Sequence, residues 1–274
     1  MRTIAHISDM HFGRTDPAVV EGLVADITAR APSLVVASGD FTQRARAWQY
    51  RAAAQFLSRL PSPQLCVPGN HDIPLYDVVR RFFFPLQFYR RHITTDLRPV
   101  YRDEEMIVVG LNTARSFTFT LDGFWKDGRI SPEQLLDIRE RMERAPASLF
   151  KIVVTHHPFI PPPGERLHGV VHGAPEALRE MEACGVDLVL AGHLHLVYSG
   201  DVRTHYEAVK RSILSVQAGT ATSTRRRGDA NAYNWITLEP ARVSVEVRAW
   251  DGSCFTTQTL THFLRVPDGW QEKH

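Results

Sequence analysis

Apolar and polar positions alternate in blocks along the first two thirds of the chain. Short apolar runs bounded by polar or glycine positions predict buried strands. Between these runs, apolar residues spaced three or four positions apart predict helices. The predicted strands cover residues 3–8, 34–37, 64–67, 106–109, 151–155 and 186–190, and the predicted helices begin after Asp16, at about residue 44, after Ser131 and at Pro175.

Local signals mark the ends of these helices. Asp16 and Pro17 supply an N-cap and a first-turn proline for the first helix. The stretch at 131–134, Ser-Pro-Glu-Gln, has the spacing of a capping box. Gly185 is expected to end the helix over 175–184. In the helix over about 44–60, apolar residues four apart predict the buried face: Trp48, Ala52, Phe56 and Leu60.

Beyond about residue 212, consecutive strand patterns replace this alternation. They fall at 213–217, 234–238, 243–249 and 255–260. We therefore expect an α/β part over about 1–211 and a β-rich tail over about 212–264. Because no repeat or linker separates them, residues 1–274 are predicted to form a single domain. The pattern predicts two sheets stacked face to face with helices outside.

Composition narrows the class of protein. Charged residues make up 23% of the chain and hydrophobic residues 43%, as in soluble globular proteins. A net charge of +2 gives no reason to expect general binding to nucleic acid. The N-terminus runs directly into a strand pattern, and no apolar stretch approaches the ~20 residues of a membrane span. The three scattered cysteines suit a reducing compartment, so we expect a cytoplasmic location.

Polar side chains follow five of the predicted strands, where each strand ends. In α/β folds the carboxyl ends of the strands are where sites assemble, so these side chains should meet in one crevice. Each motif alone is weak, because each is also common in ordinary surface turns. The motifs, in chain order, are Asp9-Met-His11, Gly39-Asp40, Gly69-Asn70-His71-Asp72, His156-His157 and Gly192-His193-Leu-His195.

The spacing within these motifs predicts a metal site. In an extended backbone, residues two apart point to the same side, so each pair, Asp9 with His11 and His193 with His195, offers two donors. Glycines at 39, 69 and 192 permit sharp turns and close backbone approach. Carboxylate, amide and imidazole donors suit Mn²⁺, Fe²⁺ or Zn²⁺.

The ordered set resembles the signature of the calcineurin-like metallophosphoesterases over roughly residues 1–250. The resemblance implies a four-layer α/β/β/α sandwich of two mixed sheets with a binuclear metal centre. It also implies that a hydroxide bridging the two metals attacks the phosphorus. The implied ligands are Asp9, His11, Asp40 and His195 for one metal and Asp40, Asn70, His156 and His193 for the other.

The resemblance further implies roles for the residues beside these ligands. His71 would protonate the leaving group or stabilise the transition state. For Asp72 two interpretations stay open: it orients His71 through a hydrogen bond, or it caps the turn. His156 is favoured over His157 as the ligand because it comes first after the strand.

The sequences of four motifs indicate a substrate class. "HISDMHFG", "SGDFTQRA", "VPGNHDIP" and "AGHLH" are similar to the bacterial class III cyclic-nucleotide phosphodiesterases. We therefore predict hydrolysis of a small-molecule phosphodiester, with 3′,5′-cyclic nucleotides and glycerophosphodiesters as candidates. Three alternatives stay open: a hydrolase of the UDP-2,3-diacylglucosamine type, a repair-type nuclease and a non-catalytic scaffold.

Three further segments stand beside the signature. Residues 80–91 mix arginines with aromatic residues and predict a packed helical hairpin near the site. A second hypothesis makes this segment a lipid or membrane contact, and its aromatic residues could also join copies in a homo-oligomer. The arginines at 225–227 predict a solvated loop rather than a phosphate-binding site, within a segment at 220–228 that could close over the crevice. The loop at 160–164, with His168 and His172, could line the pocket without a metal role.

Overall fold

A computed structural model describes residues 1–116, 128–162, 164, 169–225 and 229–273. His168 and the arginines at 226 and 227 lie outside the described residues.

The first sheet has seven strands in the order β13-β12-β11-β10-β1-β2-β3. The strands β1, β2 and β3 run parallel, and β10 pairs antiparallel with β1, so the sheet is mixed. The bounds are β1 Arg2–Ile7, β2 Leu34–Ala37, β3 Gln64–Cys66, β10 Ala232–Glu239, β11 Arg242–Trp250, β12 Phe255–Val266 and β13 Gly269–Lys273.

The second sheet has six strands in the order β4-β5-β6-β7-β9-β8. Its centre, β5, β6, β7 and β9, is parallel, and the two edge strands are antiparallel. The bounds are β4 Val100–Arg102, β5 Met106–Gly110, β6 Phe150–Val154, β7 Leu188–Ala191, β8 Tyr198–Asp201 and β9 Leu214–Gln217.

Six α-helices accompany the sheets within the described residues, and their ends follow the predicted signals. Asp16 accepts a hydrogen bond from the backbone N–H of Ala18. The Ser131 backbone N–H donates to the Gln134 side chain, as a capping box requires. Gly185 has a φ of 75°. The bounds are α1 Pro17–Arg30, α2 Ala47–Leu57, α3 Val78–Phe83, α4 Gln87–His92, α5 Pro132–Glu143 and α6 Ala174–Ala183.

The apolar core lies in three layers. Between the sheets, Ile4 and Val36 of the first pack with Val108, Ile152 and Leu190 of the second. The outer face of the first sheet is covered by α1, α2 and α4. The outer face of the second is covered by α5 and α6. The predicted four-layer α/β/β/α sandwich of two mixed sheets is confirmed.

Several boundaries differ from the predictions. The strand predicted at 213–217 is β9, which pairs with β7 in the second sheet and not with the tail strands. The helix α2 buries Tyr50, Ala53 and Leu57 besides Phe56, whereas Trp48 is 48% exposed, because the inward face is centred one position later. The strands β4, β8 and β13 were not predicted. None of the described helices is long and apolar enough to cross a membrane.

Candidate metal centre

The strand ends place all seven predicted donor residues around one crevice. Three of the segments follow the parallel strands of the first sheet, and two follow β6 and β7 of the second. The shared edge arises because parallel strands end on the same side of their sheet. Asp9 and His11 follow β1, Asp40 follows β2, Asn70 lies in a 3₁₀ turn after β3, His156 follows β6, and His193 and His195 follow β7.

The first cluster joins Asp9, His11, His195 and one oxygen of Asp40. The Nε2 atoms of His11 and His195 are 3.4 Å apart. Asp9 Oδ1 lies 3.6 Å from the first of these nitrogens and 3.5 Å from the second. Asp40 Oδ2 lies 3.6 Å from His11 Nε2.

The second cluster is built around Asn70. Its Oδ1 lies 3.1 Å from His156 Nε2 and 3.0 Å from His193 Nδ1. Asp40 Oδ1 lies 3.5 Å from His156 Nε2. The two oxygens of Asp40 therefore face different clusters, so this carboxylate joins them.

The donor atoms fit divalent cations. Donors held about 2.1 Å from one ion lie about 3.4 Å apart at tetrahedral angles and about 3.0 Å apart at octahedral angles, which is close to the distances within both clusters. His156 Nδ1 donates to the Ser38 carbonyl at 2.8 Å, so its Nε2 is the nitrogen turned toward Asp40 and Asn70. Asp9 Oδ1 is fully buried and has no hydrogen-bond partner among the described residues. Such an arrangement of acceptors is costly unless a cation joins them.

The charges at this site favour a cation as well. Burial raises the pKa of the Asp9 and Asp40 carboxyls, but nearby histidines outweigh it and hold both values below the usual range. Burial lowers the pKa of His156, yet the Asp40 carboxylate outweighs it and raises that pKa to about 9. Burial brings the pKa of His193 down to about 3, so its ring is a neutral donor. Positive charge is therefore stabilised between the two carboxylates.

The backbone is left-handed at five of the seven predicted donor residues, which corrects the reasoning from an extended chain. The φ angles are positive at Asp9 (52°), His11 (49°), Asp40 (53°), His193 (76°) and His195 (58°). Non-glycine residues rarely adopt this conformation, and functional sites are where it concentrates. The pair at 193 and 195 does not point to one side, because its two rings belong to different clusters.

Two glycines allow the strands to approach this closely. Gly39 has a φ of 98°, and a Cβ there would lie 2.5 Å from His156 Nδ1. At Gly192 a Cβ would lie 1.8 Å from Ser8 Oγ and 2.6 Å from Asp9 Oδ2. Any side chain at position 192 would displace a predicted donor.

Asp72 does not make the predicted hydrogen bond to the His71 ring. The His71 Nδ1–H donates instead to the Gln43 carbonyl at 3.0 Å. The Asp72 carboxylate accepts from the backbone N–H groups of Phe41, Thr42 and Gly69. The orienting role is therefore replaced by the second interpretation, in which Asp72 caps the turn.

Three contacts at the rim of the site were not predicted. Thr220 Oγ1 contacts His195 Nδ1, and Thr113 Oγ1 lies 2.7 Å from His157 Nδ1. Both threonines follow strands, so the rule applied to the other strand ends would have found them. The third contact joins Arg225 to His71, and no local pattern indicates it.

Comparisons with known proteins agree with this architecture. The family model of the calcineurin-like phosphoesterases matches residues 2–197. The chain is 24% identical over 211 residues to a probable cyclic nucleotide phosphodiesterase of Synechococcus sp., covering 72% of this chain and 74% of that protein. A solved dimetal phosphatase from Danio rerio is similar with a TM-score of 0.64 at 13% identity, covering 94% of this chain and 98% of that one.

A shorter match has higher identity. The chain is 37% identical over 81 residues to glycerophosphodiester phosphodiesterase GpdQ of Enterobacter lignolyticus. That match covers 25% of this chain and only 29% of the relative. The family match covers most of the chain, includes the segments that carry all seven donors, and agrees with the sandwich described above. The chain belongs to the calcineurin-like phosphoesterase family.

Proposed function

We propose that the chain hydrolyses phosphodiesters at this centre, and that the shared carboxylate of Asp40 is the feature on which the chemistry depends. The first cluster, with Asp9, His11 and His195, would hold one divalent cation. The second cluster would hold the other, with Asn70, His156 and His193. Mn²⁺, Fe²⁺ and Zn²⁺ all suit these donors. Two such cations would activate a water molecule at neutral pH and stabilise negative charge on the phosphoryl oxygens.

His71 is proposed to serve the leaving group. A ring nitrogen of His71 lies within 4.8 Å of donor atoms of His11 and Asp40, so the ring borders the first cluster. Its backbone N–H donates to Asp40 Oδ1 at 2.8 Å, and its Nδ1–H is held by the Gln43 carbonyl. These bonds fix the ring, so Nε2 is the nitrogen left to exchange a proton with the departing oxygen.

Diesters are proposed because both curated relatives described above are named as phosphodiesterases. The experiment compares bis-4-nitrophenyl phosphate, 4-nitrophenyl phosphate and 3′,5′-cyclic AMP with the Mn²⁺-loaded protein. We expect the first to be cleaved faster than the second, and cleavage of the third would identify cyclic nucleotides as substrates. Chelator-treated protein and the Asp40→Ala variant serve as controls. If the monoester is the better substrate, the diester proposal is wrong.

A second candidate substrate, a diester with an apolar ester group, is supported by a surface beside this centre. Phe82, Phe83 and Phe84 are 50%, 73% and 56% exposed at the end of α3. Exposed apolar residues that adjoin one another commonly mark a binding site. Beneath them a cavity of about 480 Å³ is lined by Ile73, Phe83, Phe84, Pro85, Leu86, Gln87, Arg90, Leu97, Asn112, Ala114, Arg115 and Ser116.

Residues that line this cavity are sequence neighbours of residues at the metal centre. Ile73 directly follows Asp72, and the lining residues Asn112 and Ala114 flank Thr113. Since Thr113 contacts His157, an ester group in the cavity would leave its phosphate near the donors. A location in the cytoplasm, a lipid or membrane contact through residues 80–91, and self-association through the same aromatic residues remain predictions.

A series of alkyl 4-nitrophenyl phosphates, from methyl to octyl, tests the apolar ester group. Burial of each methylene contributes up to ~0.8 kcal/mol. Full burial of two methylenes already corresponds to about ten-fold, so kcat/KM should rise by about ten-fold or more along the series. The Phe83→Ser variant should flatten this rise while keeping activity on the methyl ester. Leu264→Ser, an equally apolar change on β12, is the matched control. If kcat/KM does not change with chain length, the cavity does not take the ester group.

A further inference from the structure

Arg225 contacts the residue proposed to serve the leaving group. Its Nη1 donates to His71 Nε2 at 3.1 Å. Because the other ring nitrogen is committed to the Gln43 carbonyl, this contact occupies the remaining one. Arg225 is exposed and forms no ion pair with any residue that the structure describes. Among the residues that the structure describes, the neutral His71 ring is therefore the side-chain partner of this permanently charged guanidinium.

The backbone beneath this arginine is hydrogen-bonded to Arg14, whose own backbone N–H donates to the His11 carbonyl. Ser223 Oγ and the Thr224 backbone N–H both donate to the Arg14 carbonyl, at 3.2 and 2.8 Å. The Arg225 backbone N–H donates to Ser223 Oγ at 3.0 Å. Earlier in the same segment, Thr220 contacts the His195 ring. One segment thus contacts a predicted donor and also carries Arg225.

We propose that Arg225 binds a non-bridging oxygen of the substrate phosphate and, in doing so, frees His71 Nε2 to take up a proton from water and deliver it to the leaving oxygen. A guanidinium presents a planar fork of donors that matches phosphate, and its hydrogen bonds to an anion are stronger than one to a neutral ring. The bound phosphate is therefore the preferred partner, and the contact with His71 is the substrate-free arrangement. The inference rests on the proposed function, because it assigns the phosphate to the adjacent centre.

The test measures phosphate binding separately from turnover. Isothermal titration of inorganic phosphate into the Mn²⁺-loaded protein gives a Kd for the wild type and for Arg225→Ala, Arg225→Lys and Arg242→Ala. Arg242 lies on the β10–β11 hairpin beside the start of β1, so its variant removes the same charge at the end of the first sheet opposite to Asp9. We expect Arg225→Ala to raise the phosphate Kd about ten-fold or more, the loss typical of one charged hydrogen bond. Arg225→Lys should give a smaller loss, and Arg242→Ala none.

Kinetics with bis-4-nitrophenyl phosphate, and with a diester whose alkoxide leaving group needs protonation by His71, complete the test. A rise in KM for Arg225→Ala that parallels the phosphate Kd supports the proposal. An unchanged phosphate Kd overturns it, as does an equal effect of Arg242→Ala. A fall in kcat with unchanged KM and Kd also overturns it, since Arg225 would then act only through His71. Should the wild type cleave no ester, the proposed function fails, while the phosphate Kd still reports on Arg225.

Discussion

Replacing Asp40 with asparagine should abolish the stabilisation that divalent cations give the protein. The Asp40 carboxylate is 1% exposed, and its oxygens lie 3.5 Å from His156 Nε2 and 3.6 Å from His11 Nε2, one in each cluster. Asparagine keeps the shape and can still accept the hydrogen bond from the His71 backbone N–H. The substitution therefore removes the charge shared by the two clusters and little else.

The size of the effect follows from binding linkage. A cation at 100 times its Kd stabilises the folded state by about 2.7 kcal/mol, so two sites contribute about 5 kcal/mol. For a chain of this size each kcal/mol raises Tm by about 2–4 °C. Wild-type protein should therefore melt about 10–20 °C higher with saturating Mn²⁺ than after chelation. We expect the shift for Asp40→Asn to be smaller than about 3 °C, measured by differential scanning calorimetry.

Asp187→Asn is the matched control for this measurement. Asp187 is also buried, at 3% exposure, but it pairs with Arg211 at 2.9 Å, away from the two clusters. Loss of the Asp187 charge should lower the melting temperature of the metal-free protein and leave the Mn²⁺-induced shift in melting temperature unchanged. An equal shift in Asp40→Asn and wild type would refute the shared-carboxylate reasoning. The reasoning would also be refuted if none of Mn²⁺, Fe²⁺ and Zn²⁺ raised the melting temperature of the wild type.

Three other substitutions separate chemistry from architecture. His71→Ala should keep the Mn²⁺-induced Tm shift but lose about 10²–10⁴-fold in kcat on diesters with an alkoxide leaving group. The loss should be much smaller with 4-nitrophenolate, because this leaving group needs little protonation. Equal losses on both kinds of diester would contradict the proposed role. Asp72→Ala leaves three buried N–H groups without an acceptor. Urea unfolding should therefore show that the free energy of unfolding falls by about 3 kcal/mol or more. Unchanged stability would count against the capping interpretation. In Gly192→Ala a Cβ would lie 2.6 Å from Asp9 Oδ2 and should abolish the Mn²⁺-induced shift, whereas Gly200→Ala, with its nearest neighbour at 3.5 Å, should not.

The layers of the fold were predictable because its central strands are apolar and bounded by turn residues. Strands such as β2 and β6 are buried along their whole length, so their sequences contain uninterrupted apolar runs. The strands that were missed lie at sheet edges or near the C-terminus and are short or partly exposed. In β8, for example, every residue of Tyr198–Asp201 is only half-buried, so no apolar run identifies it.

The candidate site was predictable in its membership and less so in its geometry. Strand ends and residue chemistry predicted seven side chains that the structure brings together, because parallel strands bring their carboxyl ends together. Spacing could not reveal the left-handed backbone at Asp9 or His193, since a φ angle depends on tertiary contacts such as the Asp9 backbone N–H donating to the Gly39 carbonyl. The contact between Arg225 and His71 was equally hidden, because 154 positions separate the two residues.

The left-handed turns at the donors have a consequence for protein engineering. An ordinary strand end copied onto another scaffold would carry the same side chains but aim them elsewhere, since the direction of each Cα–Cβ bond changes with φ. The five left-handed residues include both ends of the His193-Leu-His195 motif, which serve different clusters. A transplanted centre would therefore need the turns together with the glycines that let them meet. The unit that can be moved between scaffolds is a set of loops, and the seven side chains alone would not rebuild it.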